Sequence, residues 1–108
     1  MPEGASVVRD GVRIIQGTPQ QPLRGPTLFL RLLRVSSPGK PPTTRSSLAM
    51  ARPGPGAYVV KELIPDMELD ANAALEKAIA IAKRGDVAEL YLNADLNKLP
   101  PQSLAAVG

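Results

Sequence analysis

The chain has 108 residues, a net charge of +3, twelve prolines, nine glycines and no cysteine or histidine. That length allows one domain at most, and the missing residue types exclude disulfides, Cys/His zinc sites, thiol nucleophiles and imidazole bases together. The charge is uneven, with eight basic and two acidic residues up to position 55 but five basic and eight acidic from position 56 onward.

Residues 5–8 and 12–15 are short β-branched runs on either side of Asp10-Gly11, a pair that suits a tight hairpin turn because both central positions need positive φ. Residues 17–26 carry three prolines and two glycines and are expected to form an extended connection. Residues 27–35, TLFLRLLRV, fit a strand or a short helix by period alone, and the flanking prolines and short length favour the strand. Residues 36–55 have the composition of a linker, with Pro, Gly, Ser, Thr and basic residues and few apolar groups to offset the entropy of ordering.

Residues 57–64 read as a strand closed by Pro65. Residues 70–84 read as a helix, with Asp70 as its cap and Lys83 and Arg84 placed to complement the dipole. Its apolar stripe is Ala71, Leu75, Ala78, Ile79 and Ala82, flanked by Ala74 and Ile81, and Gly85 suits a left-handed closing position. Residues 87–92 alternate as a second strand. Laid parallel beside 57–64 across a right-handed crossover, it completes a β-α-β unit with one helix-covered face. The other face, with Tyr91 and Tyr58 or Val59, needs a cover from the front-half strand or from another protein. A proline-terminated tail, residues 99–108, follows.

The expected fold is therefore α+β. It has a basic, Pro-rich arm with short strands over residues 1–56, partly extended and ending in the linker, and an acidic β-α-β unit over residues 57–108.

Few constellations suggest chemistry. Asp66, Glu68, Asp70 and Asn72 alternate like the opening of a calcium loop. Ala71 and Lys77 stand where the pattern needs glycine and a bidentate glutamate, so acids favoured at a helix N-terminus explain the cluster. Arg52-Pro53-Gly54-Pro55-Gly56 lacks the spacing of a phosphate loop and precedes a strand, which fits a hinge better. Pro38, Pro41 and Pro42 beside Lys40 and Arg45 form a weak polyproline-like stretch. No metal, cofactor or catalytic residue is expected.

The candidate contact residues are Arg24, Arg31, Arg34, Lys40, Arg45 and Arg52, whose guanidinium groups suit carboxylates or phosphates. With only one phenylalanine and two tyrosines the chain lacks a stacking platform for single-stranded nucleic acid. The leading expectation is a non-enzymatic structural or accessory subunit of a larger assembly that binds a protein partner or a second copy through the extended basic N-terminal arm and the uncovered sheet face. A nucleic-acid-associated protein using the arm on phosphates is the alternative, and a small enzyme completed by another chain is a third.

Val87-x-x-Leu90-x-Leu92, followed by Asp95-Leu96 and Leu99-Pro100, resembles one unit of a leucine-rich repeat, in which leucines line a solenoid core and the strands bind proteins. The match is one residue short between Leu92 and Leu96 and has Asp95 where asparagine is usual; one unit is also fewer than the three a stack needs, so it implies no site residue.

No apolar stretch approaches the length of a membrane span, and Arg31 and Arg34 break the longest run. Glu3 and Asp10 argue against a secretory leader, and an intracellular setting is expected. The acid-free, Arg/Ser/Thr-rich residues 24–52 also have the composition of an organelle transit segment.

Overall fold

In the computed structural model, described here for residues 6–55 and 57–99, the chain forms one mixed six-stranded sheet with a single α-helix on one face. The strands are β1 (Ser6–Arg9), β2 (Val12–Gln16), β3 (Thr27–Ser37), β4 (Lys40–Pro53), β5 (Tyr58–Glu68) and β6 (Glu89–Leu92), and the helix is α1 (Ala71–Arg84). Their order across the sheet is β1-β2-β6-β3-β4-β5. The sequence's opening residues and its proline-terminated tail beyond Leu99 lie outside the described residues.

β1 and β2 pair antiparallel, with Ser6 opposite Ile15 and Arg9 opposite Val12. Between them Asp10 and Gly11 have φ of 54° and 82°, the doubly positive turn that follows the right-handed twist of the strands. This register turns Val12 and Ile14 together towards the helix.

Residues 36–55 are not a linker. Most of them form β4, antiparallel to β3 along nearly its whole length and antiparallel to β5 on the other side. The composition hides a strand for two reasons. The alternation runs between small side chains, with Ser46, Leu48 and Met50 towards the helix and Ser47, Ala49 and Ala51 away from it, so few large apolar groups mark it. Pro41 and Pro42 fall in the exposed outer part of the hairpin, where a missing N–H is tolerated. The ladder is irregular around Leu48 on the β5 side, the bulge that accommodates Pro65.

The expected β-α-β unit is also rearranged. β5 and β6 are not neighbours: β5 lies at one edge, while α1 carries the chain back over the sheet so that β6 enters between β2 and β3, parallel to both. The reason is burial. Leu90 is fully buried with Ile14 and Leu28 opposite it on its two sides, an environment that an edge position could not supply. The leucines of the repeat-like phrase therefore serve a sheet, not a solenoid. The sheet also draws on both sides of the expected boundary at residue 56, with β6 inside the layer made by β2 and β3.

Asp70 caps α1, its carboxylate accepting from the Asn72 N–H at 3.1 Å. Ala74, Ala78, Ile79 and Ala82 are buried against Val12, Ile14, Leu28, Leu30, Leu48 and Leu90, and three alanines among the four let the helix approach the sheet closely. The helix does not close on a left-handed Gly85, whose φ is −98°. The left-handed residue is Asp86 (φ 55°), with the Gly85 N–H donating to the Ile81 carbonyl and the Val87 N–H to the Ala82 carbonyl. Val87 must turn inward to be buried, which places the reversal one residue later than the glycine.

Candidate functional site

The sheet face away from α1 carries an open concave surface. Phe29 and Tyr91 stack there with ring centroids 5.7 Å apart, and Leu23, Ala51 and Tyr58 complete a small second core. Two pieces of chain cover part of this face: residues 17–26, which connect β2 to β3, and the segment after β6, which brings in Leu96 and Leu99.

These covers leave an open cleft of about 730 Å³. Its floor is Phe29, Arg31, Ser47, Ala49, Val60 and Glu62, from three neighbouring strands, and its wall is residues 93–97. Asn93, in a left-handed conformation (φ 55°), accepts the Leu32 N–H on Oδ1 at 2.8 Å and donates its own N–H to the Leu30 carbonyl. It thereby ends the β6–β3 ladder and starts the wall. Asp95 then accepts the Asn97 N–H at 2.9 Å and donates its N–H to Thr18 Oγ at 2.9 Å, tying the wall to the 17–26 connection. The wall is held by hydrogen bonds at both ends, while the floor is apolar around Phe29 and Val60 and charged at Arg31 and Glu62.

A second hollow of about 580 Å³ lies between residues 21–27 and the strand face at Ala88, Glu89 and Tyr91. Partial burial, and the charge of Glu89 after it, hold the Tyr91 phenol above its ordinary pKa, with Arg13 acting in the opposite direction.

Six basic residues were singled out from the sequence, and the fold does not gather them on one surface. Arg24 lines the second hollow and Arg31 the cleft. Arg34 and Lys40 lie exposed on the outer part of the β3–β4 hairpin. Arg45 is engaged with Asp66, its Nε donating to the carboxylate at 3.2 Å and its terminal nitrogen to the Asp66 carbonyl at 3.2 Å. Arg52 is exposed opposite Val59 at the far end of β4. Among the described residues the two ion pairs are Arg45–Asp66 and Arg13–Glu89 at 3.6 Å.

The hairpin's outer part has little support from the rest of the sheet. The β6–β3 ladder ends at Leu30 and the β5–β4 ladder at Arg45, so residues 33–37 and 40–44 form a two-stranded ribbon, whose base takes one further hydrogen bond from the Leu69 N–H to the Thr44 carbonyl at 2.9 Å. Five residues per strand give it a reach of about 16 Å. Gly39 turns its tip at φ 77°, and Leu33 is 47% exposed on it.

Ser47, Glu62, Asn93, Asp95 and Asn97 of the cleft were not among the candidate contact residues read from the sequence. The available signal was the Ser47/Ala49/Ala51 alternation, which reads as a strand face once the linker reading is abandoned. The contribution of Asn93 depends on the placement of β6 and had no local signal. Asp66 and Asp70, from the calcium-like phrase, are used by Arg45 and by the helix cap. Among the described residues no helix is long and apolar enough to cross a membrane. Comparison with family models, with curated proteins and with solved structures finds no match for this chain.

Proposed function

We propose that this chain is a non-enzymatic accessory subunit of a larger intracellular assembly, holding a partner protein on the helix-free face of its sheet. The observation that carries the reading is the cleft on that face, whose floor joins an apolar patch to the Arg31 cation, which is in neither ion pair of the described residues, and the Glu62 carboxylate. An open floor with an apolar centre and polar rim suits a protein surface better than a small ligand, which is ordinarily enclosed. The projecting hairpin supports the same reading. A two-stranded ribbon is marginal alone and gains stability when another surface lies along it.

The cleft offers no imidazole or thiol, and Arg31, Glu62 and Asp95 are its charged side chains. These groups suit recognition through ion pairs and hydrogen bonds. The test is to isolate the chain from its source at low and high salt, with and without nuclease, beside an Ala49→Arg variant that fills the cleft floor. A partner protein retained by wild type through both treatments and lost from the variant is expected. The same proteins on both would refute the cleft as the binding site.

A second reading has one specific observation behind it. The hairpin ribbon is free of acids and carries Arg34 and Lys40, and a two-stranded β-ribbon fits the major groove of a duplex. Two or three phosphate contacts would give a log–log salt slope of about −2 to −3. Arg34→Glu with Lys40→Glu would then abolish duplex binding, and binding that ignores salt would eliminate this reading.

A further inference from the structure

Among the described residues the strand order leaves two sheet edges, β1 and β5. Among the described residues, five of the six exposed large apolar side chains lie on these edges: Val7 and Val8 on β1, and Val59, Val60 and Met67 on β5. β1 has four residues and β5 eleven, so β5 offers the longer row of unpaired N–H and C=O groups. A long, exposed, partly apolar edge strand is a template for pairing with another strand. Pro65 interrupts β5 but leaves residues 58–64 continuous.

We propose that two copies of this chain associate through β5, antiparallel, about a two-fold axis at Val60. The inference is a separate one from the partner reading above, because it concerns pairing along the edge of the sheet, although Val60 and Glu62 also belong to the cleft floor. Its argument is register. A two-fold axis perpendicular to the sheet keeps each face on its own side, so it must lie midway between a residue and its own copy and pair positions of equal parity.

Charge selects among the axes within β5. An axis at Lys61 sets ammonium opposite ammonium, and one at Glu62 sets carboxylate opposite carboxylate, both unfavourable for directly facing pairs. An axis at Leu63 brings Pro65, which has no N–H, opposite Lys61, and one at Ile64 brings Asp66 opposite Glu62. An axis at Val59 leaves only residues 58–60 pairing within the strand. An axis at Val60 pairs residues 58–62, with Val60 facing Val60, Val59 facing Lys61 and Tyr58 facing Glu62. It buries the exposed valines and sets no like charges face to face. Such a contact is smaller than the roughly 1,200 Å² of a stable interface, so the dimer is weak and concentration-dependent.

The test uses the purified full chain alone, so its failure is separable from failure of the partner reading. Sedimentation equilibrium from micromolar to millimolar protein is expected to give a reversible dimer, weakened at least tenfold by Val60→Lys. Because the chain has no cysteine, single replacements report each edge cleanly. Facing β-carbons at about 4.5–5.5 Å lie near disulfide reach. Val60→Cys is therefore expected to give an oxidised covalent dimer, and Val7→Cys is not. A chain that stays monomeric throughout, a Val60→Lys variant that associates like wild type, or linking through position 7 as readily as through position 60 would each overturn the proposal.

Discussion

Replacing Leu48 with alanine tests the largest departure of the fold from the composition. Leu48 is fully buried, with Leu30 opposite it on β3 and Ile64 opposite it on β5, beneath the helix. Removing a buried leucine side chain forfeits its transfer free energy and leaves a cavity that the sheet closes only partly, about 3 kcal/mol within an expected range of roughly 2–5. For a domain of this size the whole stability is of order 5–15 kcal/mol, so the loss is a large share of it. In urea, at a slope of about 1.5 kcal/mol per molar, the midpoint should fall by roughly 2 M. Leu33→Ala, on the exposed part of the same hairpin, should cost less than about 0.5 kcal/mol. If residue 48 belonged to a mobile linker, the two substitutions would have equal, near-zero effects and the amides of residues 46–51 would exchange without protection. That result would refute the strand assignment and the floor of the cleft with it.

Three further outcomes are expected. Asp86→Gly should raise stability by about 0.5–1 kcal/mol in urea titration, because it relieves a left-handed non-glycine residue and removes a negative charge from the helix C-terminus. Gly54→Ala should destabilise by about 1–3 kcal/mol, read as a lower thermal midpoint, since its β-carbon would lie 2.8 Å from the Ala57 carbonyl oxygen and 2.7 Å from the Val59 side chain, and the β4–β5 turn must move. The raised pKa of Tyr91 means that the unfolded chain ionises first. Its contribution is therefore complete below the ordinary phenol value of about 10 and is lost as pH rises towards the higher folded value. Urea titrations between pH 9 and 11 should show a steeper decline for wild type than for Tyr91→Phe.

Local chemistry, legible in the sequence, set the helix and the individual strand runs. Residues 70–84 combine a capping aspartate, an apolar stripe and basic residues in the last turn, and every one of those signals acts within a few residues of the chain. The periodicity of 57–64 and 87–92 was visible for the same reason. The pairing of those runs was not, because register and neighbour order are long-range choices. Either partner satisfies a strand's hydrogen bonds, and only the burial of Leu90 between Ile14 and Leu28 favours the interior slot over a place beside β5. β4 was missed because strand formation there depends on two flanking strands and a helix more than on its own side chains, most of which are small or polar. The basic residues were countable from the sequence. Which of them stand free and which are engaged was decided by tertiary structure, since the Arg45–Asp66 pair spans two strands joined by a turn and Arg31 enters the cleft only because β6 and its following wall lie alongside β3.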